Sequence, residues 1–273
     1  MNSTTVRRLL VRGMLAGLAA GVLALLVAYF LGEPQVDSAI AYEDAQTAGA
    51  GHDHGAAGHD HGAAEEEPLV SRDLQATGGL ATGILVYGVA FGGLAALAYC
   101  YALGRIGRFT PRATALLLAV AGLVAVYVVP FLKYPANPPA VGADDSVGRR
   151  TTLYLLMLVL SVLLTVGAVI LGQRLAPRLG NWNATVAAGA FLVLVVGLAF
   201  AFLPSVNEMP ADFPATVVWK FRIAALAVQA TLWTAFGLLF GELAERVLAP
   251  ERRAAVREAA AQEAAAGDAV SPG

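Results

Sequence analysis

The sequence predicts an all-α, polytopic membrane protein of about six transmembrane helices, and three observations carry that prediction. Hydrophobic residues make up 58% of the chain and charged residues only 14%, against about 25% charged in soluble domains. The apolar residues sit in blocks of about 18 to 26 that contain no Asp, Glu, Lys or Arg, and about 20 helical residues cross a hydrocarbon core. The segments between blocks alternate between two charge compositions. Backbone in lipid must satisfy its own hydrogen bonds, so the blocks are helices.

The first block, Gly13–Leu31, follows Arg7, Arg8 and Arg12. Basic residues before an apolar run also describe a signal peptide, and Ala39-Ile40-Ala41 resembles a cleavage site. The run is long enough to span and that site lies well beyond it, so residues 1–31 read as a cytoplasmic end and an uncleaved first helix. Residues 32–77 are low-complexity, rich in Ala, Gly, His and acids, and are expected to form an outward-facing, disordered, His-rich loop. Five further blocks follow: Gly78–Leu103, Ala113–Leu132, Thr151–Leu171, Ala184–Leu203 and Ile223–Phe240. They make residues 78–248 a five-helix membrane domain. Residues 249–273 are an Ala/Glu-rich cytoplasmic tail, helical by propensity until it frays before Ser271.

Charge sets the expected orientation. Arg7, Arg8, Arg12, Arg105, Arg108, Arg112, Arg174, Arg178, Arg246, Arg252, Arg253 and Arg257 fall on one side, and fourteen of the 20 acids fall on the other. The positive-inside rule puts both termini in the cytoplasm of an inner-membrane protein.

The segments 133–150 and 204–222 are crowded with proline and resemble each other. Pro135-Ala136-Asn137-Pro138-Pro139-Ala140 lines up with Pro210-Ala211-Asp212-Phe213-Pro214-Ala215. This suggests repeated helical hairpins: an outgoing helix, a proline loop, an Arg (Arg72, Arg149 or Arg150, Arg222) and a returning helix. Glycines recur four apart at Gly13, Gly17 and Gly21, at Gly88 and Gly92, and at Gly237 and Gly241. That spacing lets helix backbones approach closely in lipid, and packing within the chain is the expected use.

The chemistry is concentrated in residues 51–62. All 4 histidines lie there, in two tandem copies of Gly-His-Asp-His-Gly-Ala-Ala. Neutral imidazole is the commonest metal ligand near physiological pH. His52, His54, His59 and His61 are therefore candidate ligands, with Asp53 and Asp60 adding oxygens or steadying the rings. Nitrogen donors suit several divalent transition metals, and the spacing does not choose among them. A shallow, exchangeable trap fits the Gly/Ala setting; a plain polar spacer is the competing reading. Asn207, Glu208, Asp212 and Asn137, with Lys133 and Tyr134, are weaker candidates at the mouths of the proline loops. They line a funnel, or else the loops are stiff helix caps with Tyr134 and Trp219 as interfacial anchors.

Other classes are set aside. Cys100 is alone and reads as a packing residue. No histidine lies in an apolar block, which excludes a bis-His haem there, and no resident cofactor is expected. No phosphate-binding Gly-x-x-x-x-Gly-Lys-Ser/Thr, no Cys-x-x-Cys and no nucleic-acid-type basic patch occurs. Nothing points to an enzyme. The lack of acids inside the blocks argues against an ion-coupled route through this chain alone.

Three stretches together resemble the CbtA family of probable cobalt transporter subunits. They are the His-Asp-His tract after one helix, Pro130-Phe-Leu-Lys-Tyr-Pro-Ala-Asn-Pro-Pro-Ala140, and Pro204-Ser-Val-Asn-Glu-Met-Pro-Ala-Asp-Phe-Pro-Ala-Thr-Val-Val-Trp219. The resemblance runs from the first helix to about Arg246. It implies a multi-helix subunit for cobalt uptake tied to cobalamin supply, and a small single-helix partner, CbtB. The expectation is capture of Co2+ on the outward His tract, with Ni2+ or Zn2+ as other cargoes and lipid as the surround. Metal export or tolerance, and a non-transporting adaptor, are the alternatives.

Overall fold

The computed structural model describes residues 2–50, 71–107, 109–139, 141, 147–206, 209–210 and 212–269. Helix α1 (Ser3–Val27) starts on Asn2, whose side chain accepts from Thr5 N–H at 2.8 Å, satisfying one orphan donor of the first turn. It passes through a π-helical stretch, Ala28–Gly32, into α2 (Glu33–Ala50). The short α3 (Arg72–Leu74) and a second π stretch, Gln75–Gly79, lead into α4 (Leu80–Ala102). The turn after α4 uses Gly104 and Gly107 at φ 77° and 143°, where glycine alone is relaxed. Helix α5 (Pro111–Gly122) has Pro in its first turn behind a Thr110 cap, then a π stretch, Leu123–Val128, and α6 (Val129–Lys133). Helices α7 (Val147–Phe202) and α8 (Ala215–Ala269) complete the order.

Helix α7 has 56 residues; straight, it would run about 84 Å, nearly three hydrocarbon thicknesses. It is instead two limbs. Gly180 stands at φ 75° and ψ 162°, and a Cβ on Gly172 would lie 3.2 Å from Ala188 Cβ. In a straight helix those residues would be about 24 Å apart. Among the described residues 5 helical segments are long and apolar enough to cross a membrane: Ser3–Gln46, Gln75–Ala102, Pro111–Lys133, Gly148–Phe202 and Ala215–Pro250. The fourth folds back at Gly180, so each of the six apolar blocks occupies its own limb. The protein is an all-α, multi-pass membrane protein.

Small residues set the packing. Helices α1 and α4 meet so closely that a Cβ on Gly17 would strike Gly88 O, and one on Gly92 would strike Gly13 O. A Cβ on Gly237 of α8 would come within 2.8 Å of Ala119 Cβ on α5. The close seams thus join α1 to α4, which carry the first and second apolar blocks, and α5 to α8, which carry the third and the sixth, so packing does not follow the hairpin repeat throughout. Between the seams lies an aromatic core: Phe91 meets Trp233 edge-on at 4.6 Å and Phe236 at 5.0 Å, and Tyr99 meets Phe240 at 5.0 Å. Trp233 lies over Gly122, where a Cβ would strike its ring.

The expectation of disorder across 32–77 is corrected at both ends of that segment. Residues 33–50 are helical and continue α1; residues 72–79 are helical and lead into α4. The cause is tertiary: Ala39 is buried against Phe213 and Val218, and Arg72 pairs with Glu33 at 2.5 Å and Asp37 at 2.9 Å. The alternating limbs bring α2, α3 and both proline segments to one end of the bundle, the proline-loop end. The start of α1 and the turns at 103–110 and 180 lie at the other.

Candidate functional site

Proline ends helices and leaves carbonyl oxygens without helical donors. At the proline-loop end basic and phenolic side chains supply the missing hydrogens. Arg150 Nη2 donates to Pro135 O at 2.5 Å; Arg222 Nε donates to Ala136 O at 3.2 Å and its Nη2 to Asn137 Oδ1 at 3.1 Å. Lys133 Nζ donates to Phe200 O and Tyr134 Oη to Pro204 O, each at 2.8 Å. The second outer loop is therefore clamped by arginines from the limbs that follow it, and its helix reaches across to the third.

Helix α2 closes over the third loop. Asp212 Oδ2 accepts from Tyr42 Oη at 2.9 Å and Gln46 Nε2 at 2.7 Å. The Tyr42 ring meets Phe213 edge-on at 4.8 Å, and Ala39, Phe213, Val218, Val141 and Met209 form one apolar cluster with it. The bonds from Gln46 and Tyr42 hold the Asp212 carboxyl below its ordinary value, because hydrogen bonds to the charged form favour it.

Of the predicted metal ligands, His52, His54, His59, His61, Asp53, Asp60, Asn207 and Glu208 lie outside the described residues. Asp212 and Asn137 are described. Asp212 is an ionised oxygen donor, tied to α2. Asn137 gives its oxygen to a guanidinium, which opposes a second cation there. Among the described residues no three His, Cys, Asp or Glu gather closely enough to hold a metal. Tyr134 does not anchor in lipid: it is buried and bonded to Pro204 O, whereas Trp219 is 66% exposed. Sequence reasoning missed Tyr42 and Gln46, and likewise Glu33 and Asp37. Both pairs are spaced i, i+4, a signal that counts only once the segment is known to be helical.

Beside the clamped loop a cavity of about 330 Å³ opens between α6 and the first limb of α7, lined in part by Tyr127, Phe131, Tyr134, Arg150, Thr151 and Tyr154. At the opposite end of the bundle, Arg12 Nη1 donates to Leu243 O at 2.9 Å, and Glu242 pairs with Arg112 at 2.7 Å and Arg246 at 2.9 Å. Those bonds tie α1, α5 and α8 together.

A family model described as "Probable cobalt transporter subunit (CbtA)" matches residues 6–245, from the first turns of α1 to the apolar part of α8. No curated protein and no solved structure matches the chain. The match takes in every apolar limb and both proline loops, and the chain belongs to the CbtA family, as a multi-pass membrane subunit of a cobalt transporter.

Proposed function

We propose that this subunit serves uptake: it collects Co2+ outside the cell on His52, His54, His59 and His61, with Asp53 and Asp60, and passes it inward past Asn207, Glu208 and Asp212. Asn137 is the least favoured of these donors, because Arg222 holds its oxygen. The observation that carries the reading is the doubled His-Asp-His unit, which begins two residues past the end of α2. Helix α2 is itself bonded to Asp212, which supports a handover from the segment that follows α2 to that oxygen donor. Imidazole pairs suit Co2+, and Ni2+ and Zn2+ compete for such donors. The ion is cargo, and no resident cofactor or catalytic step enters the scheme. The proline-loop end faces outward, both termini are cytoplasmic, and the membrane is the inner one, as the arginine distribution implies. A small single-helix subunit of the CbtB kind completes the transporter.

The test is cobalt uptake by cells at limiting metal, comparing the wild-type chain with one in which all four histidines are alanine. Uptake is expected to fall several-fold at limiting Co2+ and to recover at high Co2+. Equal uptake at low metal would remove the capture role. A reporter fused near Gly55 reads the side: a cytoplasmic signal would turn the scheme towards export. Flux into dye-loaded liposomes, with and without the small partner, separates a transporter from an adaptor.

A further inference from the structure

Inside the membrane limbs some polar side chains are satisfied locally: Ser161 Oγ donates to Leu158 O and Thr165 Oγ1 to Ser161 O. Others are not. The hydroxyls of Tyr87, Tyr127 and Tyr154 and the amide of Gln229 make no hydrogen bond among the described residues. Trp233 Nε1 is buried without an acceptor among them. Tyr87 belongs to α4, Tyr127 to the π stretch of the third limb, Tyr154 to the first limb of α7, and Gln229 and Trp233 to α8.

Packing draws these groups together. The Trp233 ring meets Phe91 at 4.6 Å and lies over Gly122. Gln229 precedes Trp233 by one turn on the same face of α8, and α8 touches Leu123–Val128. Tyr87 precedes Phe91 by one turn, its ring parallel to that of Phe91 at 6.2 Å. Tyr127 follows Gly122 by five residues on a limb that runs the other way. Each of these steps leads from the Trp233 layer towards the proline-loop end. Tyr87, Tyr127 and Tyr154 lie within electrostatic reach of one another, and Tyr127 and Tyr154 line the cavity of about 330 Å³. A headgroup belt accounts for tyrosines but not for Gln229 and Trp233. These follow Arg222, which is bonded to the second outer loop, by about 10 and 16 Å along the helix. Hydrocarbon offers no partner to an amide or an indole N–H, and buried polar groups in proteins have partners. The groups here are neutral and combine donors with acceptors, a mixture that water satisfies and an ion of one sign does not. Each water needs about 30 Å³, so the cavity holds several.

We propose that Tyr154, Tyr127, Tyr87 and Gln229 line a water-filled vestibule that enters the membrane from the proline-loop end and ends on Trp233. Its wall is drawn from α4, α8, the third limb and α7, so the wet space follows the seam where these limbs meet. Under the cobalt reading the vestibule carries hydrated cargo part of the way in. The inference stands apart from that reading, and its test uses no metal, so either can fail alone.

The test uses the full chain carrying Cys100→Ser, in lipid nanodiscs, where both faces meet the buffer and the outcome does not depend on orientation. Single cysteines replace Tyr127, Tyr154 or Gln229, or else Val86 or Leu94 on the exposed face of α4, which are 65% and 70% exposed. A charged, membrane-impermeant methanethiosulfonate is added and the intact mass is followed in time. The thiolate is the reactive form and needs water to ionise, so Tyr127→Cys, Tyr154→Cys and Gln229→Cys are expected to label at least about tenfold faster than Val86→Cys and Leu94→Cys. Gln229→Cys is decisive, because no headgroup belt reaches it: a rate no higher than that of Val86→Cys overturns the proposal. Should a cysteine variant fail to fold, hydroxyl-radical footprinting of the wild-type chain by X-ray radiolysis decides, since the radicals form from water at the site. Oxidation of Trp233 together with Tyr127 and Tyr154 is expected. A Trp233 that stays unmodified while Trp182, 79% exposed, is oxidised overturns the proposal.

Discussion

The bundle of α1, α4, α5 and α8 and the hairpin of α7 solve the same problem by different means. In the most apolar stretch of Ser3–Gln46, 33% of residues are buried; in that of Gly148–Phe202, 17% are. The bundle is held by backbone approaching backbone at Gly13, Gly17, Gly88 and Gly92 and by the aromatic core around Trp233. The hairpin is held mainly by polar side chains on carbonyl oxygens: Lys133 on Phe200 O, Tyr134 on Pro204 O, Ser161 Oγ on Ala125 O and Gln173 on Arg105 O. One small cluster around Met157 and Ala199 adds to these. In lipid the hydrophobic effect does not drive helices together, so close packing and hydrogen bonds are the remaining means. Both regions use both, since Arg12 also donates to Leu243 O within the bundle, and the difference lies in which one carries more of the attachment.

The largest effect that would break this comparison comes from a matched pair of glycine substitutions. In Gly17→Ala the new Cβ strikes Gly88 O and comes within 2.8 Å of Gly92 Cα, and the expected cost is about 1–3 kcal/mol or more. Gly189 on α7 has nothing within 4 Å of a built Cβ, so Gly189→Ala is expected to be neutral or to stabilise by up to about 1 kcal/mol. Denaturant unfolding of the purified protein measures both, and equal costs would mean the two regions are held alike. A smaller effect tests the polar attachment. Lys133→Met removes the bond to Phe200 O and is expected to cost about 0.5–1.5 kcal/mol. Hydrogen exchange should rise across 181–202 and stay level in α1 and α4; a rise in α1 would show the regions to be one unit.

The smallest effect concerns α2, tied by Tyr42 and Gln46 to Asp212. The folded carboxyl lies below its usual value of 3.8, so the ionised contact stabilises above that value and is lost as pH falls through the folded one. Exchange in residues 39–46 is expected to stay level from neutral pH to the ordinary carboxylate range and to rise below it. Asp212→Asn should remove that step. A rise in the variant equal to wild type would place the titration elsewhere.

The membrane limbs were legible because a charge-free block of helical length has one physical use. The α1–α4 seam was legible because glycines four apart lie on one face. Helix α2 was not. Its Ala, Gly and acids read the same in a disordered segment, and what orders it is remote: Phe213, Val218 and Asp212. The same distance hid the site's wiring. Asn137 and Asp212 stood out as polar residues at the loop mouths, but Arg222 lies 85 residues from Asn137 and Gln46 lies 166 from Asp212. The histidine tract shows its nitrogen donors in the sequence alone, and its use as a metal trap belongs to the proposal.

The π stretch Leu123–Val128 carries a consequence for the third limb. An extra residue in a helical turn carries everything beyond it round by about 100°. Before the stretch, Ala115 and Ala119 face α8; after it, Val129 and Tyr134 face Met157 and Ala199 of α7. One rod therefore serves as a wall for two rooms. Substitutions before Leu123 are inherited by the bundle and those after Val128 by the hairpin, while the stretch between serves both, with Leu123 and Val126 against the bundle core and Val124 against the hairpin cluster.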